Sequence, residues 1–147
     1  MKNKDFVYTG QNNLEAVQEA VNYNDFQRDF LLGQIGEIGK KTVKVLDFGA
    51  GIGTYADMIK SKNVHIDCLE PDAKQAKILK QKGYTNYTSI GQVKQKYDVI
   101  YALNVFEHIE KDSEVLAELK PLLTKGGRIV IYVPAFKMLW SRMDDLV

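Results

Sequence analysis

The sequence predicts an α/β protein, a mostly parallel sheet with helices on both faces and further helices at its N-terminal end. Three observations carry this. From Val43 onward, short β-branched apolar runs alternate with stretches of helical periodicity. The first of those runs ends in a glycine-rich turn, Gly49-Ala50-Gly51-Ile52-Gly53. No repeat, linker or low-complexity stretch interrupts the 147 residues, a length that suits one domain. Strands that alternate with helices form a parallel sheet covered on both faces. Right-handed crossovers then bring the strand C-termini to one edge, where open α/β sheets bind their ligands.

The elements follow in order. Asn13 to Ile38 is helical in pattern, with Leu14, Val17, Ala20 and Val21 at helical spacing. Phe26, Phe30, Leu31 and Ile35 continue it before Gly36 and Gly39 break it. Val43 to Phe48 is a strand ended by Gly49, and Thr54 to Ser61 a helix with Tyr55, Met58 and Ile59 as its apolar positions. Val64 to Leu69 is the second strand. Pro71 and Asp72 open the next helix, with Asp72 and Gln75 spaced as a capping box and Ala73, Ala76, Ile78 and Leu79 as the apolar side. Tyr84 to Ile90 holds a short third strand and Tyr97 to Leu103 the fourth. Ser113 to Leu123 is a helix, capped by Asp112 or Ser113, that turns Val115, Leu116, Leu119 and Leu122 inward. Lys125-Gly126-Gly127 reads as a turn, and Arg128 to Val133 as a fifth strand ended by Pro134.

Composition narrows the function classes. Apolar residues make up 45%, ordinary for a globular chain, and 20 basic residues nearly balance 19 acidic ones, giving a net charge of +1. No nucleic-acid or membrane field is expected from that balance. Lys74, Lys77, Lys80 and Lys82 read as a solvated helix face. The single cysteine, Cys68, excludes an intrachain disulfide and reads as a core residue. No apolar run reaches the roughly 18 residues of a membrane span. These features place the chain in the cytoplasm.

The chemistry concentrates at the strand ends. The glycine turn lets the backbone fold tightly and a ligand approach closely, and the helix after it offers amide groups. Dinucleotide enzymes use a similar turn, but here the spacing is GxGxG, and an acid, Asp47, ends the strand two residues before the first glycine. A carboxylate repels a pyrophosphate and attracts a cationic amino-acid group. Glu70 ends the second strand, where a carboxylate accepts from both hydroxyls of a ribose. That residue alone suits NAD, FAD or S-adenosylmethionine. Asp72 reads as a helix cap, and His65 and His108 show no metal-ligand pattern, so no metal is expected.

Two further segments complete the set, Tyr97-Asp98-Val99-Ile100-Tyr101-Ala102-Leu103-Asn104-Val105-Phe106-Glu107-His108 and Leu119 to Ile131 with its Lys125-Gly126-Gly127. In this order and spacing the four segments resemble class I S-adenosylmethionine-dependent methyltransferases, most closely their type 11/12 small-molecule branch. The resemblance covers about Val43 to Pro134. It implies a Rossmann-like core over residues 43–134 and an N-terminal helical lid over 1–42, both within one domain of residues 1–147. It implies that Asp47, Gly49, Ala50, Gly51 and Gly53 hold the methionine end of S-adenosylmethionine. Glu70 would hold the ribose, Pro71 would also belong to the cofactor site, and Asn104 would face the methionine or the acceptor. Many relatives have an acid after the third strand for the adenine amino group. Thr88-Ser89-Ile90-Gly91 has none, so Ser89 and Ile90 would hold adenine through backbone groups and apolar contact. His108, in the family's Glu-His pair, is a candidate general base beside a helix-orienting role.

The resemblance implies methyl transfer to a small-molecule acceptor. The alternatives left open are a cofactor-binding domain without turnover and, from the glycine turn alone, a dinucleotide oxidoreductase. Pro134 to Asp145 is similar to a segment that in relatives leads on to a further helix and two strands. The chain therefore reads as truncated, with the fifth strand left as an apolar edge open to self-association.

Overall fold

The computed structural model describes residues 21–133, with side chains from Tyr23 onward. Tyr8, the helical pattern before Val21 and the tail from Pro134 lie outside the described residues. Five strands form one sheet in the order β3-β2-β1-β4-β5, every pair parallel. They are β1 (Val43–Phe48), β2 (Val64–Leu69), β3 (Thr85–Tyr87), β4 (Tyr97–Leu103) and β5 (Leu123–Tyr132). The helices are α1 (Val21–Gly36), α2 (Thr54–Ile59), α3 (Ala73–Gln81) and α4 (Asp112–Leu119). The fold is thus α/β and Rossmann-like, as the alternation of patterns requires.

Burial explains why β1 and β4 are apolar nearly throughout. They are inner strands with helices on both faces, so every residue of the two but Lys44 is buried. One apolar layer joins Val45, Cys68, Val99 and Tyr101 of the sheet to Leu31 and Ile35 of α1, Ala56 and Ile59 of α2 and Leu79 of α3. The other joins Leu46, Leu69 and Ile100 to Phe106 and to Leu119 of α4. Cys68 is fully buried in the first layer, and burial pushes its thiol up, as fits a core residue.

Several local expectations are corrected. α2 stops at Ile59, and its inward residues are Ala56 and Ile59. In α3, Ala76 and Leu79 are buried while Ala73 is exposed and Ile78 is half-buried. Asp72 caps α3 by accepting from the amides of Lys74 and Gln75, but the amide of Asp72 itself donates to Glu70, so Glu70 stands where the capping box placed Gln75. Lys82 is not a simple solvated residue: its Nζ donates to the Ile52 carbonyl and to Asp57, both at 2.7 Å. α4 starts at Asp112 after Lys111 and ends at Leu119, where Pro121 turns the chain into a single 3-10 turn, Lys120–Leu122.

Lys125-Gly126-Gly127 does not precede a strand but interrupts one. β5 already pairs with β4 at Leu123↔Tyr97, and the register resumes at Arg128↔Val99. Gly126 takes φ +81°, and a Cβ on Gly127 would come within 3.0 Å of the Tyr97 carbonyl. The segment is therefore a bulge pressed against β4, and β5 ends at Tyr132 rather than Val133.

Near the N-terminal rim of β4, buried Asp98 accepts from the Lys44 amide at 3.0 Å and from Thr124 Oγ1 at 2.7 Å, and pairs with Lys40. Burial alone would raise its pKa, but the Lys40 ammonium and these donors outweigh that and hold it below its usual range.

Candidate functional site

The predicted residues converge on the C-terminal edge of the sheet. β1 and β2 run in register, Asp47 beside Cys68 and Phe48 beside Leu69, so the glycine turn and Glu70 leave the sheet side by side. Gly49, Gly51 and Gly53 all take positive φ, +76°, +56° and +80°. A Cβ on Gly49 would come within 2.5 Å of Val105, and one on Gly53 within 2.7 Å of Leu79. Glycine is required at those two positions both by conformation and by close approach.

The turn is closed on itself. The amides of Gly49 and Ala50 donate to the Leu69 carbonyl at 2.9 and 3.3 Å, Gly51 donates to Glu70 Oε2 at 2.9 Å, and Gly53 donates to the Ala50 carbonyl at 2.8 Å. The amides of these four residues are thus engaged within the protein. Two carboxylates, Asp47 at the end of β1 and Glu70 after β2, stand beside the turn.

Glu70 is 7% exposed and bridges two loops, with Oε2 on Gly51 and Oε1 on the Asp72 amide at 2.9 Å. Burial raises its pKa, and the two amides oppose that. A carboxylate has about four acceptor sites, so about half of its capacity is left for a ligand. Asp47 is 4% exposed, and burial raises its pKa to about 7. The neighbouring Glu70 charge pushes the same way. The Tyr101 hydroxyl acts in the opposite direction, though it stops short of hydrogen-bond geometry. No salt bridge joins a Lys or Arg to either acid among the described residues.

The remaining predicted residues lie along the same edge. Pro71 and Ser89 are exposed, and Ile90 is half-buried against the second apolar layer. Asn104 follows β4 in a left-handed conformation, φ +53°, which Asn tolerates better than most residues. Its amide donates to the Tyr132 carbonyl at 2.8 Å, and its side chain meets Tyr23 Oη at 3.4 Å. His108 is exposed on the short 3-10 turn Phe106–His108. No cluster of metal-ligating side chains occurs among the described residues.

Sequence reasoning missed the polar face of α1. Asn24 and Gln27 are buried, and both accept from Tyr55 Oη of α2, Asn24 at 3.0 Å. Gln27 in turn donates to Tyr23 Oη at 2.9 Å. Tyr23, Phe26 and Phe30 set their rings 6.3–6.4 Å from Tyr132 of β5. The signal was available: Asn24, Gln27, Leu31 and Ile35 follow helical spacing and share one face. Tyr101 was also passed over, although it is a polar-tipped residue in an otherwise apolar strand.

Comparison with known proteins agrees with this geometry. A protein of Galdieria sulphuraria assigned as a sarcosine dimethylglycine methyltransferase is 27% identical, with a TM-score of 0.61 over 71% of this chain and 44% of that one. Streptomyces venezuelae DesVI superposes with a TM-score of 0.69 at 14% identity, over 88% of this chain and 58% of that one. The plantazolicin methyltransferase BpumL, solved with S-adenosylhomocysteine, gives 0.64 at 19% identity, over 86% and 54%. At these lower identities the likeness is one of fold. An uncharacterized protein of Methanocaldococcus jannaschii is 26% identical over 95 residues, 64% of this chain and 42% of that one. The chain thus spans from two-fifths to three-fifths of the length of these relatives. A family model described as a methyltransferase domain matches residues 46–129, more than half of the sequence, and the chain belongs to that family.

Proposed function

We propose that this chain binds S-adenosylmethionine at the C-terminal edge of β1 and β2 and takes part in methyl transfer to a small-molecule acceptor. The observation that carries the reading is the pair of buried acids, Asp47 and Glu70, flanking a glycine turn in which the amides of Gly49, Ala50, Gly51 and Gly53 are already bonded. Two carboxylates repel a pyrophosphate, and the site suits a cationic ligand that also carries hydroxyls. The cofactor supplies, when bound, an electrophilic methyl group. Glu70 would accept from ribose hydroxyls with its remaining lone pairs, and Asp47 would face the ammonium of the methionine end. Ser89 and Ile90 would flank the adenine, and Asn104, fixed by Tyr132, would border the acceptor.

The chain's own part is alignment and exclusion of water more than acid–base chemistry. An amine acceptor arriving neutral needs no base. An oxygen acceptor needs one, and His108, exposed beside this edge, is the candidate. We place the protein in the cytoplasm, and no helix among the described residues is long and apolar enough to cross a membrane.

Isothermal titration with S-adenosylhomocysteine and, separately, with NAD tests the reading. Binding of the first and not the second is expected. The reverse would assign the site to a dinucleotide.

A further inference from the structure

Tyr101 is fully buried in β4 and stands beside Asp47 in the β1–β4 register. Its ring belongs to the apolar layer with Val45, Cys68 and Val99, yet its hydroxyl is buried without a hydrogen-bond partner. Phenylalanine would fill the same ring space without leaving a polar atom unpaired. Asp47, the neighbour of Tyr101 in the register, is 4% exposed. It is a buried carboxylate to which no described group donates in hydrogen-bond geometry.

The groups around Asp47 do not relieve it. Its titratable neighbours are Glu70 after β2, Cys68 beside it in β2, Tyr55 of α2 and Tyr84 just before β3. Glu70 opposes its charge, and none of the four is a cation. Tyr101 is the neighbour that favours the charged form. Burial first, and then the Asp47 charge, keep the Tyr101 hydroxyl protonated, so toward Asp47 it is a donor.

We propose that Tyr101 is a positioning residue of the cofactor site, its hydroxyl closing onto the Asp47 carboxylate when a cationic ligand arrives and aiming that carboxylate at the ligand's ammonium. This rests on the methyl-donor reading of the site. It explains why an unpaired hydroxyl is kept in the middle of an apolar strand. A small shift completes the bond at the moment the carboxylate must be charged. The rest of the ring holds Tyr101 in place, so the hydroxyl has little freedom to turn elsewhere.

The test uses Tyr101→Phe, Asp47→Asn and the double variant. S-adenosylhomocysteine affinity is measured by calorimetry across about pH 5 to 9, and the Asp47 side-chain carbon is followed by NMR in the ligand-free protein. The expected result is that Tyr101→Phe weakens binding by roughly fivefold at pH 8. It should move the Asp47 midpoint upward and leave the melting temperature unchanged or higher. In the Asp47→Asn background the loss should vanish. Wild-type affinity and an unshifted midpoint in Tyr101→Phe would overturn the inference while the cofactor reading stands. An undiminished loss in the double variant would overturn it as well, since the hydroxyl would then act on something other than Asp47. A wild-type chain that ignores S-adenosylhomocysteine overturns the cofactor reading, and this inference with it.

Discussion

The Glu70 carboxylate accepts the Gly51 amide at 2.9 Å, so the acid that ends β2 holds the turn that follows β1. Removal of Glu70 therefore has two effects, loss of a ligand contact and release of the glycine turn. Glu70→Ala is expected to weaken S-adenosylhomocysteine binding by about 2–4 kcal/mol and to lower the melting temperature. Glu70→Gln keeps the shape but loses one of the two amide contacts, and should fall between wild type and Ala. Calorimetry and thermal unfolding on the same samples separate the effects. Unchanged affinity in both variants rejects the ribose placement.

Gly49 and Val105 make a second checkable pair. Gly49→Ala must accept φ +76° and push a methyl group into Val105, and is expected to cost about 2–4 kcal/mol of stability. Val105→Ala removes the obstructing methyls but not the backbone strain. The double variant should therefore recover part of the loss, about 1 kcal/mol, in denaturant titration. Strict additivity of the two substitutions would show that the contact is not the cause.

Asp47 gives a pH dependence with a definite sign. Its pKa in the ligand-free fold is about 7, against an ordinary 3.8, so between those values the folded chain keeps a proton that the unfolded chain has lost. Stability from this group falls as pH rises through that window and levels off above it. Asp47→Asn carries no such proton. It should gain about 1–4 kcal/mol relative to wild type between pH 4 and pH 8, read from urea midpoints. A difference that is flat with pH would mean that Asp47 is charged throughout.

The N-terminal helix is expected to act as a lid. Amide exchange over Tyr23 to Phe30 should slow when S-adenosylhomocysteine is added, because Tyr23 adjoins Asn104 at the proposed site. A structural cover would be protected already. Equal exchange with and without ligand argues for the cover. Gly51→Val, placed at φ +56°, serves as the control in which no ligand-dependent slowing is expected.

Much of this was legible because inner parallel strands leave a simple trace. Val43–Phe48, Val64–Leu69 and Tyr97–Leu103 match the apolar runs residue for residue, since burial on both faces leaves little room for other patterns. The positions of Asp47 and Glu70 followed from the strand ends. What escaped was set by contacts distant in sequence. The β5 bulge hides behind Gly126-Gly127, which reads as a turn until β4 is laid beside it. The amides of Gly49 and Ala50 are taken by Leu69, some twenty residues away, and no local pattern announces that. The partner of Asn24 and Gln27, Tyr55, lies on another helix, and no local pattern pairs them with it.

The sheet has two rims with separate duties. Asp98, with Lys40, Lys44 and Thr124, lies toward one, and the acids that face a ligand lie at the other. A strand of six residues places its ends roughly 20 Å apart, beyond the distance at which substitutions usually interact. The rim around Asp98 can therefore be altered without touching the ligand rim, although the reverse does not hold, since Asp47 and Glu70 also bear on stability. Changes around Asp98 should set how much heat or acid the chain survives and leave its choice of ligand untouched, and a library aimed at new acceptors can be confined to the opposite rim.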